Sequence, residues 1–249
     1  MTRVMKNLGF GIIILIGLGI LFFVSSAVYA AEVKIAVIDS GTTGPVDFKK
    51  SFTSLRADED PLNHGTQVAH LIRQNNPSAK IHMLQVCEIS DGKAKPSRDA
   101  ILKAIAWAVE NHMDIVNLSL VLKYDERIEK AITDAATSHG ILFVAAAGNR
   151  TIASRFAADE KGYVHKVQRT VKPAFPASDP HVIAVGGLDE SGNIAKYSDK
   201  TCDIYEKGSI LGQEGSSFAC ARVTGRIAQA LSAGQIPAST KQAVLAFLK

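Results

Sequence analysis

Two patterns of apolar residues alternate along the chain from residue 32 onward. Short, dense apolar runs at 33–38, 80–86, 115–120, 141–145 and 182–185 have the length and composition of strands buried on both faces. Between and after them, apolar residues recur at helical spacing over 66–74, 98–111, 126–138, 217–233 and 240–248. Ser97 stands where it can cap the second helix, and Gly140 where it can end the third. This alternation predicts an α/β domain, a mostly parallel sheet with helices on both faces, in three layers. No repeat, low-complexity tract or linker interrupts 31–249, which therefore reads as one domain. In such sheets the chemistry collects at the carboxyl ends of the strands.

A different pattern occupies 8–24, LGFGIIILIGLGILFFV, which carries no charge. Arg3 and Lys6 precede it, and Ser25, Ser26 and Ala27 follow. Residues 1–30 thus have the layout of a secretory signal, with Val28 and Ala30 suited to cleavage after Ala30. The rival reading is an uncleaved membrane anchor. As a helix the run would span roughly 26 Å, slightly short of a bilayer core of about 30 Å. Either reading puts 31–249 outside the cytoplasmic membrane, secreted, periplasmic or anchored, with the basic end inside.

Composition narrows the classes further. With 47% hydrophobic and 21% charged residues, the chain is neither disordered nor collagen-like. The net charge is +4, and no run of Lys or Arg interleaved with aromatics occurs, so nucleic acid is not an expected partner. The cysteines are Cys87, Cys202 and Cys220. Their odd number leaves at least one thiol free. Without a C-x-x-C pair no cysteine zinc site is expected.

Four polar residues stand at the expected strand and helix ends. Asp39 follows the first strand and precedes Ser40-Gly41; it suits a carboxylate that orients a partner, or a turn. His64 sits where a helix begins, so its ring is held with one nitrogen free, or it is a surface histidine. Ser217 opens a long helix. There it meets unpaired N–H groups that favour an oxyanion, or it is a cap. Asn149 follows the strand over 141–145; its amide can donate to a developing oxyanion, or it closes a turn.

Together these residues give a resemblance. Ala36-Val37-Ile38-Asp39-Ser40-Gly41, His64-Gly65-Thr66-Gln67-Val68-Ala69, Ala146-Ala147-Gly148-Asn149 and Gly215-Ser216-Ser217-Phe218-Ala219 resemble the four motifs of the subtilisin-like serine proteases (subtilases), in that family's Asp, His, Ser order. Two lesser matches are Ile115-Val116-Asn117-Leu118-Ser119-Leu120 and Phe175-Pro176-Ala177-Ser178. The resemblance runs over 33–235 and implies a serine endopeptidase. Ser217 would be the nucleophile, His64 the general base and acid, and Asp39 the orienting carboxylate. Asn149 and the Ser217 N–H would bind the oxyanion. Ser119, Leu120, Val121, Ala147 and Gly148 would line the substrate strand.

The chain also departs from that pattern. Asp39 follows the expected cleavage point closely, without the longer stretch that often carries calcium ligands, so no calcium or other metal site and no cofactor is expected. No pro-domain is legible, which leaves room for a separate inhibitor or chaperone. Val121-Leu122 stand where the family continues Gly-Gly, and β-branched Val hinders close approach by a ligand. Ser216 holds a position usually occupied by Thr, and His70 replaces a small residue. The segment 150–172 is basic, with Arg150, Arg155, Lys161, Lys166, Arg169 and Lys172 against Asp159 and Glu160. It reads as a solvated loop, or as a border of the cleft that favours acidic substrates or an anionic membrane surface. Cys220, one turn after Ser217, reads as buried behind it. The competing function is a catalytically weak or inactive peptide-binding or regulatory module. A dinucleotide-binding domain is disfavoured because no G-x-G-x-x-G follows the first strand.

Overall fold

Residues 32–149, 155–158, 164–167, 173–237 and 239–248 are described by the structure, a computed structural model. In chain order they begin with β1 (Lys34–Asp39), β2 (Phe48–Ser51), α1 (His64–Asn75), β3 (Lys80–Gln85) and the hairpin strands β4 (Cys87–Ser90) and β5 (Lys93–Pro96). Next come α2 (Arg98–Glu110), β6 (Ile115–Leu118), α3 (Glu126–His139), β7 (Leu142–Ala146), and a second hairpin of β8 (Arg155–Ala158) and β9 (Val164–Val167). The chain closes with β10 (Val182–Leu188), β11 (Ile204–Lys207), a third hairpin of β12 (Ser209–Ile210) and β13 (Gln213–Glu214), α4 (Ser216–Ser232) and α5 (Lys241–Leu248).

Seven strands form one sheet in the order β11-β10-β7-β6-β1-β3-β2, and every neighbouring pair in it is parallel. The reason is visible in β1. Ile35 and Val37 enter one apolar core with α1 and α4, while Ala36 and Ile38 enter a second core with α2 and α3. A strand apolar on both faces is stable only when both are covered. The expected three-layer α/β architecture is therefore the one found, with a sheet that is wholly parallel.

Helix boundaries follow local chemistry. Asp125 caps α3 by accepting from the Arg127 N–H, and Gly140 ends it in the left-handed region at φ 66°, as its sequence position suggests. Ser97 does occupy the N-cap of α2, but its side chain makes no capping bond. The strand expected over 115–120 stops at Leu118, and residues 119–122 run on as irregular chain. The segment expected as a polar loop over 150–172 contains the antiparallel β8–β9 pair. Residues 1–31, which carry the signal-or-anchor pattern, lie outside the described residues. Among the described residues no helix is long and apolar enough to cross a membrane.

The sheet order fixes where a site can form. From β1 the chain goes to the edge strand β2, comes back beside β1 as β3, then crosses through α2 to β6 on the other side. The strand order reverses there, so the carboxyl ends of β1 and β6 border a crevice. Asp39 ends β1 and Ser119 follows β6.

Candidate active site

α1 begins at His64, after Asn63 in the left-handed region at φ 50° and without a side-chain cap from that residue. Asp60 takes the capping role. Its Oδ2 accepts from the Thr66 backbone N–H at 2.8 Å and hydroxyl at 2.7 Å. Its Oδ1 accepts from the His64 N–H at 3.3 Å and the Ser40 hydroxyl at 2.7 Å. Ser40 Oγ in turn accepts from the Gly65 N–H at 3.1 Å. The first turn of α1 is thereby fastened to the end of β1. Gly65 is required by that contact, since a Cβ there would lie 2.1 Å from the Gly41 carbonyl oxygen.

This fastening brings His64 Nδ1 to 2.7 Å from Asp39 Oδ1. Asp39 is buried, and Oδ1 also accepts from the Ser40 N–H at 2.7 Å and the Ser40 hydroxyl at 3.1 Å. The charge of Asp39 raises the His64 pKa above its ordinary 6.5 against the opposing pull of burial, and its hydrogen bond and the charge of Asp60 add to the rise.

Two serines stand at the start of α4, and their surroundings differ. Ser216 is buried; its hydroxyl donates to Asn149 Oδ1 at 2.9 Å and accepts from the Gly148 N–H at 3.1 Å. Its backbone N–H also donates to Asn149 Oδ1, at 2.8 Å. Ser216 is thus occupied in joining the chain after β7 to α4. These bonds hold the Asn149 amide by its oxygen and leave Nδ2 as its donor. Ser217 is only partly buried, and its hydroxyl donates to the Ser119 carbonyl at 2.9 Å. Phe218, the next residue, lies against the His64 ring with centroids 5.9 Å apart. Asp39 thus meets His64, Asn149 meets Ser216, and the Phe218 ring contact links the start of α4 to His64.

The substrate-strand residues meet there as well. Ser119 donates from its hydroxyl to the Ser217 carbonyl at 2.9 Å, while Val121 is 47% exposed. Ala147 and Gly148 are buried on the opposite wall. His70 is exposed on α1. Cys220 is fully buried; its sulfur accepts from Asn117 Nδ2 at 3.2 Å, and burial pushes its thiol pKa to about 12.

Asp60, Ser40, Asn117 and Thr224 support the crevice and were not singled out in the sequence. Asn117 and Thr224 are fully buried, joined Nδ2 to Oγ1 at 2.9 Å, and Asn117 Oδ1 accepts from the Ser119 hydroxyl at 3.1 Å. A buried polar network so satisfied fixes the register between β6 and α4. Its sequence signals are a lone Asn inside an apolar strand pattern and its place in the Ile115–Leu120 match. For Asp60 the signal was an acidic residue just before a helix start.

Comparison with known proteins gives the family and the fold. The profile of the Subtilase family matches residues 30–248. Subtilisin E of Bacillus subtilis (strain 168) is 30% identical over 232 residues, covering 81% of this chain and 56% of subtilisin E. A subtilisin of Bacillus pumilus is 28% identical over 229 residues, covering 81% of this chain and 78% of its own. The chain spans about half the length of several curated relatives that it matches. Among solved structures, one titled a lanthipeptide protease superposes with a TM-score of 0.66 at 21% identity, over 87% of this chain and 78% of that one. At that identity the likeness concerns the fold.

Proposed function

The chain belongs to the subtilase family, and on that premise we propose that it is a serine endopeptidase working through Asp39, His64 and Ser217. The observation that carries the proposal is the 2.7 Å contact of His64 Nδ1 with buried Asp39. With Nδ1–H held by the carboxylate, Nε2 is the basic nitrogen. Ser217 Oγ attacks the scissile carbonyl and passes its proton to Nε2. His64 then gives that proton to the leaving amine, and water repeats the sequence on the acyl-enzyme. Asp39 keeps the tautomer and stabilises the imidazolium throughout.

In the resting arrangement the Ser217 proton rests on the Ser119 carbonyl, so a rotation about the Cα–Cβ bond precedes attack. Catalytic hydrogen bonds commonly form only once substrate is bound. The oxyanion is received by Asn149 Nδ2 and the Ser217 N–H, at the positive end of α4. An extended peptide lies along 119–121. Proteins or peptides are the substrates. The site of action is outside the cytoplasmic membrane, a reading supported by the charge-free run at 8–24. It is also in keeping with one relative, the minor extracellular protease Epr of Bacillus subtilis (strain 168), 31% identical over 67% of this chain and 25% of that protein.

The direct test is hydrolysis of an unfolded protein substrate by the purified chain. The proposal expects cleavage that Ser217→Ala abolishes while Ser216→Ala retains part of it. Cleavage by Ser217→Ala at the wild-type rate would refute it. The parked hydroxyl favours the second reading, a peptide-binding module, which predicts saturable peptide binding without any cleavage.

A further inference from the structure

Ser217 is seated by its main chain as well as by its hydroxyl. The Ser119 hydroxyl donates to the Ser217 carbonyl at 2.9 Å, and the Ser217 hydroxyl donates to the Ser119 carbonyl at 2.9 Å. The two residues thus clasp each other between the start of α4 and the chain leaving β6. A second attachment lies deeper. Thr224 follows Ser217 by two helical turns on α4, which puts it on the same face, about 10 Å along the axis. There Asn117 Nδ2 donates to Thr224 Oγ1 at 2.9 Å. Ser119 joins the two attachments, since its hydroxyl also lies 3.1 Å from Asn117 Oδ1.

The deeper attachment refers α4 to the most rigid part of the fold. Asn117 lies in β6 and is paired with Val37 of β1 on one side and Val144 of β7 on the other. Asn117 and Thr224 are both 0% exposed, so no solvent replaces their bond when it is lost. Asn117 Nδ2 also meets Cys220 Sγ at 3.2 Å, but sulfur is a weak acceptor. Around these contacts the buried face of α4 carries Ala219, Ala221 and Val223. Apolar contacts of that kind are non-directional and leave a helix free to slide or pivot. Two polar attachments at different heights fix both its depth and its tilt.

We propose that Thr224 is a positioning residue for the peptide hydrolysis proposed above, on which this inference rests. Through Asn117 and Ser119 it sets the depth and tilt at which α4 presents Ser217 to His64. Thr224 is fully buried two turns from Ser217, so substrate does not touch it. Its loss should therefore act on turnover and leave binding alone. A displacement of about 1 Å at a reacting group can cost about 10²-fold in rate.

The test uses the full chain and an internally quenched peptide, at a temperature below the unfolding onset of every variant. Thr224→Val keeps the size and removes the acceptor. It is expected to lower kcat at least ~10-fold with KM little changed, while Thr224→Ser keeps kcat near wild type. Ser119→Ala breaks the same chain of contacts at its other end. The double variant Ser119→Ala with Thr224→Val is expected to lose no more than the worse single variant, because residues acting in one network are not additive. Should Thr224→Val fail to fold, Thr224→Ala takes its place. Failure of both to fold assigns Thr224 to stability alone and overturns the inference. So does a folded valine or alanine variant with kcat near wild type, a loss that serine does not rescue, or additive losses in the double variant. Each of these results leaves the endopeptidase reading standing. A folded wild type that cleaves nothing overturns both.

Discussion

His64 Nδ1 lies 2.7 Å from Asp39 Oδ1, and the same carboxylate oxygen also accepts two bonds from Ser40. This pair sets the pH behaviour of the site. The general base works as neutral imidazole, and its pKa is raised above 6.5, chiefly by the charge of Asp39. The acid limb of kcat/KM is expected above pH 6.5. Asp39→Asn removes the charge and the tautomer control, lowering kcat by about 10⁴-fold. Asp60→Asn removes a more distant charge and shifts the acid limb downward; it also turns one accepting oxygen into a donor that faces other donors, so activity is expected to fall as well. A pH–rate profile of the three proteins checks both statements. An acid limb that Asp60→Asn leaves in place would contradict the second.

The same shift has a stability consequence. Folded His64 binds its proton more tightly than the unfolded chain does. Its stabilising contribution is therefore complete below about pH 6.5 and is lost as pH rises through the raised folded value. Urea midpoints of wild type and His64→Gln are expected to differ most at pH 5 to 6 and to converge in the alkaline range.

Asn149 is held by its oxygen, which accepts two bonds from Ser216. Asn149→Asp keeps an acceptor there and removes the donor, so Tm should stay near wild type. Turnover should fall by about 10²–10³-fold or more, with KM little changed, because the lost bond forms in the transition state. Single-substrate kinetics beside thermal unfolding separate this from a folding defect, in which Tm and turnover would fall together.

Gly65 marks where α1 and the end of β1 touch. A Cβ 2.1 Å from the Gly41 carbonyl cannot be absorbed by a side-chain rotation, because the obstacle is backbone. Gly65→Ala is expected to cost about 3 kcal/mol, lowering Tm by roughly 10 °C, and to loosen His64 as well. Calorimetry and residual activity measure the two effects.

The centre of the molecule was legible because β1, β3, β6, β7 and β10 are apolar on both faces, a pattern that few other structures tolerate. The edges were not. β2 reads Phe48-Lys49-Lys50-Ser51, with the lysines that protect an edge strand obscuring the alternation that would reveal it. The three hairpins use strands of two to four residues, too short for a periodic signal. Within the site, Asp39, His64, Asn149 and Ser217 could be picked out because motifs place them at element ends. Asp60 and Ser40 act by bridging two elements, a relation that appears only once β1 and α1 are packed together. Cys220 was placed behind Ser217 by helical spacing, and it is buried there.

That burial makes a chemical forecast. Burial pushes the thiols of Cys87 and Cys220 up to about 12, so both are protonated at neutral pH and shielded from reagents. Folded protein treated with iodoacetamide at pH 8 should leave both unmodified, and urea should expose them. Cys220→Ala should keep its activity, since Asn117 retains its bond to Thr224. Loss of activity with an intact fold would assign Cys220 a direct role.

Whether Ser217 is a nucleophile activated by His64 can be read from the adduct of an alkyl fluorophosphonate, mapped on the folded chain by mass spectrometry. One adduct is expected, on Ser217, formed faster as pH rises through the His64 titration, abolished in Ser217→Ala and slowed by orders of magnitude in His64→Ala. An adduct on Ser216, or no adduct on folded protein at any pH between 6 and 9, would contradict it.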